Sequence, residues 1–257
     1  MRNLLLLSAA LAVGCASSST PAPATAAAPA TPSPALTAAL ASPDRSDKDK
    51  SLDAQRHPAE VITFLGIGPG MKVAELGAGG GWTSEVLART VGPTGTVYSM
   101  NPPAFIGFAG PTWDARLATP VMSKTVKVVR EFDDPLPPEA KDLDAVVISF
   151  IYHDTAYMGV DREKMNRAVF AALKPGGVYA ILDSSAKPGS GTQDAKTLHR
   201  IDEQTVKAEV ESAGFKLAGS SDILRNPSDT RDWNSSPTAA GEKRGTGDRF
   251  VDKFVKP

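Results

Sequence analysis

Short apolar runs alternate along the chain with segments in which apolar residues recur every three or four positions. The short runs are typical of strands and the longer segments of amphipathic helices. Strands separated by helices predict an open α/β sheet. The predicted strands cover residues 71–76, 96–100, 126–129, 143–151, 178–182, 215–223 and 250–255, and the predicted helices cover 54–65, 82–90, 162–173 and 203–213.

The start of the chain does not show this alternation. Arg2 precedes an apolar run from Leu4 to Val13, which is too short to span a bilayer and is typical of an export signal. The run ends in L-A-V-G-C, which resembles a bacterial lipobox, so Cys15 is predicted to become the lipidated first residue of the mature protein. Ala12 stands where this motif usually has leucine, and ordinary signal-peptidase cleavage nearby is the alternative. Residues 1–15 are thus a predicted lipoprotein-type signal peptide.

Composition separates a tether from the body of the protein. Between Ala16 and Pro43, 26 of 28 residues are Ala, Pro, Ser or Thr, which predicts a disordered spacer with little apolar surface to bury. Residues 44–257 form the predicted domain, which is long enough for one complete core. The formal net charge of −1 gives no electrostatic reason to expect nucleic acid as a partner or binding to an anionic membrane. Membrane attachment is therefore expected only through a lipid on Cys15, and the protein is expected to be exported.

The first predicted strand of the body ends in a glycine-rich turn. Its sequence is E-L-G-A-G-G-G, which places Glu75, Gly77, Gly79 and Gly81 at every second position before the helix that begins at Trp82. Glycines at such a turn allow a ligand to approach the backbone closely. The dinucleotide fingerprint G-x-G-x-x-G would need glycine at position 82, so the spacing disfavours a dehydrogenase-type nucleotide site.

The turn resembles motif I of class I S-adenosylmethionine-dependent methyltransferases. A second motif of that family follows, in which a helix, the sequence L-K-P-G-G at 173–177 and an apolar strand come in succession. This resemblance implies a Rossmann-like, mostly parallel seven-stranded sheet that ends in an antiparallel strand pair and has helices on both faces. It also implies S-adenosyl-L-methionine as the cofactor and a small-molecule or peptide methyl acceptor that the sequence does not identify. At finer grain, the body resembles exported bacterial proteins described as predicted methyltransferases, and the stretches around Trp82 and Gly92 resemble protein isoaspartate methyltransferases.

The resemblance also assigns cofactor-binding positions. An acid usually follows the second strand and binds the ribose hydroxyls, but here that position is Asn101. A neutral amide lacks the charge of a carboxylate, so on this assignment Asn101→Asp would tighten cofactor binding roughly tenfold. After the third strand, Glu131 is expected near the adenine amino group and Phe132 against the ring, with Asp133 as the alternative acid. The complete set of predicted cofactor-binding residues is Glu75, Gly77, Ala78, Gly79, Gly81, Asn101, Glu131, Phe132 and Ser149.

Polar residues follow the fourth predicted strand, at the edge where open α/β sheets bind their ligands. Tyr152, His153 and Asp154 are therefore the candidate catalytic residues. His153 is the candidate base at neutral pH, with Tyr152 and Asp154 orienting it or the acceptor. His57, His153 and His199 are expected to be isolated from one another and from acid pairs at helical spacing, so no metal site is predicted.

Three functions remain open at this point. The chain is a working methyltransferase, an exported ligand-binding lipoprotein on a methyltransferase fold, or, disfavoured by Trp82, a nucleotide binder of the dehydrogenase type. The long segment 225–249 is expected to be functional, since long loops in compact domains usually are. A serine hydrolase is excluded because the chain has no G-x-S-x-G motif.

Overall fold

The alternating apolar segments form a single sheet with helices on both faces. A computed structural model describes residues 31–257. The strands are β1 (Lys72–Leu76), β2 (Thr96–Asn101), β3 (Thr125–Val129), β4 (Leu143–Ser149), β5 (Leu173–Ser184), β6 (Lys216–Ser221) and β7 (Arg249–Val255). The helices are α1 (Pro34–Leu40), α2 (Asp47–Arg56), α3 (Pro58–Leu65), α4 (Trp82–Val91), α5 (Pro103–Leu117), α6 (Tyr152–Tyr157), α7 (Arg162–Ala172), α8 (Ala195–Leu198) and α9 (Glu203–Ser212).

The strand order is β3-β2-β1-β4-β5-β7-β6. Strands β1 to β5 pair in parallel, and β7 pairs antiparallel with both β5 and β6. The order reverses between β1 and β4, so the carboxyl ends of these two strands border the crevice in which open α/β sheets bind ligands. The prediction of a Rossmann-like, mostly parallel seven-stranded sheet with an antiparallel pair at its C-terminal side is confirmed.

Helices bury both faces of the sheet. Tyr152 of α6, Val169 of α7 and Val206 of α9 belong to the core on one face, together with Leu76 and Ile148 of the sheet. The core on the other face contains Leu36 of α1, Ile62 of α3 and Leu87 of α4. Strand β4 contributes to both cores, and this is why its interior, residues 145–148, is an unbroken apolar run.

Part of the predicted tether is folded. Pro34 to Leu40 form α1, capped by the side chain of Ser33, which accepts a hydrogen bond from the backbone of Leu36. Leu36 and Leu40 are buried against the core. The prediction of disorder for residues 16–43 is therefore wrong for this helix, because its two leucines lie four positions apart and share one face. Residues 1–30, with the predicted signal peptide, Cys15 and most of the tether, lie outside the described residues.

The helix predicted at 54–65 is in fact two helices. His57 adopts φ +45°, a left-handed conformation that ends α2, and Pro58 begins α3. The charged residues just before residue 54 belong to α2 and its N-terminal side. Arg45 is buried and donates to Asp53, while Asp49 pairs with Arg116 of α5 at 2.9 Å. Trp82 Nε1 also donates to the Asp49 carbonyl at 3.2 Å, so α2 is held against both α5 and the first residue of α4.

The segment between β6 and β7 is held together by a buried ion pair. The guanidinium of Arg200 is fully buried, and its Nη1 donates to Asp229 Oδ2 at 2.8 Å and to the carbonyl of Ser185 at 3.0 Å. It also lies over the ring of Trp233 at 4.6 Å and donates to the Trp233 carbonyl. Polar residues of this long segment thus bind its own backbone and the neighbouring Arg200, and these contacts stabilise the fold.

None of the helices in residues 31–257 combines the length and the apolar composition that crossing a membrane would require.

Candidate functional site

The glycine-rich turn lies at the carboxyl end of β1, beside the ends of β2 and β4. Gly77, Gly79 and Gly81 all have positive φ, which side chains rarely adopt. A Cβ atom on Gly77 would approach Ile151 to 2.7 Å, so this glycine permits close packing of the turn against the segment after β4. A Cβ atom on Gly79 would meet no atom within 4 Å. Gly79 is therefore the member of the predicted set whose open side suits a ligand.

Asn101 holds this turn against the end of β2. Its side-chain Oδ1 accepts from the backbone N–H of Gly79 at 2.8 Å, and its Nδ2 donates to the Gly79 carbonyl at 2.9 Å. Ala78 adds a bond from its N–H to the carbonyl of Met100 at 2.8 Å. Asn101 is fully buried, and both polar atoms of its amide are engaged. The structure thus gives Asn101 the role of positioning the turn, in place of the predicted contact with ribose.

This geometry reverses the expected effect of Asn101→Asp. A carboxylate cannot donate to the Gly79 carbonyl and would place a negative oxygen against it. We expect the substitution to lower the free energy of unfolding by about 1–3 kcal/mol and to leave cofactor affinity unchanged or weaker. Urea unfolding and calorimetry on the same variant measure both effects. A variant as stable as the wild type, with tighter binding, would restore the original assignment to ribose.

The side chain of Glu75 bonds to the first turn of α4. Its carboxyl group is buried, and it accepts a short hydrogen bond from the hydroxyl of Ser84, which also contacts Ser99 at 2.6 Å. Burial raises the pKa of Glu75, although the hydrogen bonds from Ser84 and Thr83 act in the opposite direction. The contacts of Glu75 connect β1 to the first turn of α4, so it is a positioning residue.

The residues predicted around the adenine ring differ in their surroundings. Phe132 is buried in the core and packs edge-on against Phe105 at 5.9 Å, so the prediction that it lies against the ring is wrong. Glu131 is exposed, two residues after β3, and stays a candidate. Ser149 ends β4 and lines a small pocket beside Phe150 and Arg56, so it also stays a candidate.

Two guanidinium groups flank an aromatic ring beside this pocket. Arg56 lies 5.4 Å from the ring centre of Phe150 and 4.7 Å from that of Trp82, and Arg249 lies 5.6 Å from Phe150. Phe150 itself has φ +61°, which is unusual for a bulky residue. Burial and the neighbouring charge of Arg249 lower the pKa of Arg56 to about 10, so it remains a cation at neutral pH. Within residues 31–257, neither arginine forms an ion pair.

His153 is held by the carboxylate of Asp183, near the end of β5. Its Nδ1 donates to Asp183 Oδ1 at 2.7 Å, and its backbone N–H donates to Asp183 Oδ2 at 2.8 Å. Burial alone would lower the pKa of His153, but the charges of Asp183 and Asp154 outweigh it and raise this pKa to about 10. These charges favour the protonated form of His153 at neutral pH, which disfavours its predicted role as a base.

Tyr152 points away from His153. It is fully buried, and its hydroxyl donates to Glu209 at 2.9 Å and accepts from Asn166 Nδ2 at 2.9 Å. These partners belong to α9 and α7, on the core side of the sheet. Tyr152 packs the helices and cannot orient His153 or an acceptor, so its assignment as a catalytic residue is wrong.

Asp154 and His199 complete the cluster around His153. His153 Nε2 lies 3.2 Å from His199 Nδ1 and 3.3 Å from Asp154 Oδ1. The prediction that the three histidines are isolated from one another is wrong for this pair, and only His57 stands apart. Burial and the charge of His153 lower the pKa of His199, which favours its neutral form. For Asp154, His153 outweighs burial and lowers the pKa of the carboxyl.

Sequence reasoning missed Asp183 and the role of His199. The rule that ligands bind at the carboxyl ends of parallel strands applies to β5 as well as β4, and Asp183 is the next-to-last residue of β5. His199 follows α8 and reaches the site only through the tertiary fold. The contact of Arg56 with Phe150 likewise joins the last residue of α2 to the residue after β4, and only the tertiary fold brings the two together.

Comparison with known proteins supports the fold assignment. The family model described as protein-L-isoaspartate(D-aspartate) O-methyltransferase matches residues 36–104, which run from α1 to the start of α5 and include the glycine-rich turn and Asn101. A structure of a SAM-dependent methyltransferase from Aquifex aeolicus is 18% identical with a TM-score of 0.56, covering 83% of this chain and 100% of that one.

Two other structures show that this fold serves more than one activity. The glycopeptide N-methyltransferase MtfA, solved with sinefungin, is 15% identical with a TM-score of 0.53, covering 84% of this chain and 100% of its own. The [4+2]-cyclase SpnF is also 15% identical, with a TM-score of 0.54 and coverage of 79% and 81%. Together with the family match at the glycine-rich turn, these comparisons agree with the predicted cofactor. The chain therefore has the fold of class I S-adenosylmethionine-dependent methyltransferases.

Proposed function

We propose that this protein is an S-adenosylmethionine-dependent methyltransferase. The observation that carries the proposal is the turn at the end of β1, where Gly79 has an open side and the strand order reverses. The family model covers this same turn. Glu131 also fits the cofactor. It is exposed after β3, where a carboxylate is expected to accept a hydrogen bond from the adenine amino group.

When bound, S-adenosylmethionine supplies a methyl group on a sulfonium, which is already activated for transfer. The protein must then position the reactants and exclude water. The backbone of Gly79 would border the cofactor, held in place by Asn101. Arg56 would bind a carboxylate, because it is cationic, flanked by two aromatic rings and without an ion-pair partner in residues 31–257.

The contacts of His153 indicate which chemical class of methyl acceptor suits the site. The neighbouring carboxylates raise the pKa of His153 and make it a poor general base, so an acceptor that is already ionised suits this edge better than one that needs a base. We therefore propose a carboxylate acceptor, which Arg56 and Arg249 would attract. Arg56→Met tests the two uses of Arg56. If the affinity for S-adenosylmethionine falls, Arg56 binds the carboxylate of the cofactor. If only the KM of the acceptor rises, Arg56 binds the carboxylate of the acceptor.

Calorimetry of the purified protein with S-adenosylmethionine, S-adenosylhomocysteine and NAD tests the function. The proposal expects stoichiometric binding of the first two and none of NAD. Binding of NAD alone would favour the nucleotide binder, and failure of all three ligands would contradict the proposal.

A second candidate is an exported protein that binds a ligand on this fold without catalysis. The observation that favours it is the engagement of both polar atoms of Asn101 at the position where the family usually binds ribose. Transfer of a labelled methyl group to carboxylate-containing peptides separates the two candidates. Binding of the cofactor without transfer to any acceptor would favour the binding protein.

We also propose that the protein is exported and anchored by a lipid on Cys15. The support is the apolar run 4–13 followed by small residues and the single cysteine. We expect Cys15→Ala to move the protein from the membrane fraction to the soluble fraction, with unchanged urea unfolding, since Cys15 precedes every helix and strand of the described structure. A wild-type protein that is already soluble after fractionation would contradict the anchor.

A further inference from the structure

Three potential metal ligands converge where β4 and β5 end. His153 Nε2, His199 Nδ1 and Asp154 Oδ1 form a triangle with sides of 3.2, 3.3 and 3.6 Å. They form the one group in residues 31–257 in which three such atoms from histidine, cysteine or acidic side chains come within 4.8 Å of one another. Two ligands come from the first turn of α6 and the third from the residue after α8.

The distances between these three atoms match those between the ligands of a tetrahedrally coordinated ion. Zinc lies about 2.0–2.1 Å from histidine nitrogen and about 2.0–2.2 Å from carboxylate oxygen. Two ligands of a regular tetrahedron with these bond lengths are therefore about 3.3–3.5 Å apart. The three measured sides lie within a few tenths of an ångström of that range, so the side chains need little movement to bind an ion.

A carboxylate outside the triangle orients His153 as a metal ligand. Asp183 is fully buried and accepts both the Nδ1–H and the backbone N–H of His153. With Nδ1 donating to Asp183, the Nε2 atom faces Asp154 and His199, which is the carboxylate–histidine–metal arrangement of many protein sites. The hydroxyl of Tyr157 also donates to Asp154 and fixes its orientation.

Charge and access favour a divalent cation. A metal ion on Nε2 would displace the proton of His153. With both imidazoles then neutral, the charges of Asp154 and Asp183 sum to −2 and would balance one divalent ion. The side chains of His153, Asp154 and His199 are 6%, 13% and 27% exposed, so the triangle is open on the His199 side. Three protein ligands and an open position are typical of catalytic zinc sites, whereas structural sites usually have four.

We propose that His153, Asp154 and His199 bind a divalent transition-metal ion such as Zn²⁺, with Asp183 supporting His153 and the fourth position open. This metal site does not depend on the proposed methyltransferase activity, because its ligands would bind an ion whether or not the glycine-rich turn binds a cofactor. Imidazole suits Zn²⁺, Cu²⁺, Ni²⁺ and Fe²⁺, and the mixed nitrogen and oxygen set disfavours Mg²⁺ and Ca²⁺.

The test uses ZnCl₂ alone on metal-stripped protein, with calorimetry for affinity and elemental analysis for stoichiometry. All variants carry Cys15→Ala, because a free thiolate would bind zinc by itself. We expect one Zn²⁺ per chain. His199→Gly should weaken binding by about 100-fold or more, and Asp183→Asn by about 10–100-fold, as loss of an outer partner does elsewhere.

His57→Gly is the matched control. His57 and His199 are both partly exposed histidines with positive φ, +45° and +50°, so glycine replaces each without backbone strain. We expect His57→Gly to bind zinc as the parent does.

Cobalt absorption adds a spectroscopic readout, since four-coordinate Co²⁺ absorbs much more strongly in the visible range than six-coordinate Co²⁺.

Three results would overturn the site. They are the absence of stoichiometric zinc in the parent protein, unchanged affinity in a folded His199→Gly variant, and equal weakening by His57→Gly. In each case the cluster would be only a hydrogen-bonded network around a protonated His153. Circular dichroism of each variant establishes that it is folded before its affinity is compared.

Discussion

Gly79→Val should weaken S-adenosylmethionine binding by at least about 100-fold, which corresponds to about 2.7 kcal/mol. The side chain of valine would project into the open space beside Gly79, where the proposed cofactor needs access to the backbone. The φ of +53° also disfavours a β-branched residue, and we expect this strain to cost about 1–2 kcal/mol of stability. Calorimetry measures the affinity, and urea unfolding measures the stability.

Gly176→Val is the control that separates strain from the loss of the ligand site. Gly176 has φ +76° and also meets no atom within 4 Å of its Cβ position. It lies near the start of β5, at the edge of the sheet opposite the glycine-rich turn. We expect a similar loss of stability with unchanged cofactor affinity. Equal affinity in both folded variants would show that the cofactor does not bind beside Gly79.

Arg200→Met should lower the free energy of unfolding by about 3–5 kcal/mol, the usual effect of removing one partner from a buried ion pair. Methionine has a comparable length but leaves the buried carboxylate of Asp229 without its cation. The bonds from Arg200 to the carbonyls of Ser185 and Trp233 are also lost. Urea unfolding of the variant and the wild type gives the difference directly.

Arg167→Met provides the comparison for this second substitution. Arg167 forms an ion pair with Glu163 one helical turn earlier, and both side chains are largely exposed. Exposed pairs contribute little, so we expect a change within about 0.5 kcal/mol. If Arg200→Met changed stability no more than this control, the segment between β6 and β7 would not depend on the buried pair.

The sequence allowed a correct prediction of the sheet because its central strands are buried on both faces. Residues such as Val146 and Val147 point to opposite sides, yet both meet helices, and the apolar run is continuous. Helix α1 was missed for the opposite reason. Its apolar surface consists of Leu36 and Leu40 in a segment of small residues, so its helical structure depends on packing against the body.

The candidate site was predicted less completely than the fold. The glycine-rich turn is a local feature, and its positions follow directly from the sequence. Asn101 contacts Gly79, which is 22 residues away. His153 contacts Asp183 at a separation of 30 residues, and Arg56 contacts Phe150 at a separation of 94. Only the tertiary structure brings these pairs together. Tyr152 was misassigned because adjacent residues on a helix point in different directions. On α6, Tyr152 points into the core, whereas His153 points toward Asp183.

The position of β7 between β5 and β6 affects when the protein can finish folding. As the chain is synthesised from its N-terminus, β6 emerges before the strand that joins it to the rest of the sheet. Until residues 249–255 have left the ribosome, β6 has no neighbour and one edge of β5 stays unpaired. Completion of the sheet therefore has to wait for the synthesis of β7, and a nascent chain that stalls before Arg249 would expose an unpaired β6 and one edge of β5 to chaperones or to other nascent chains.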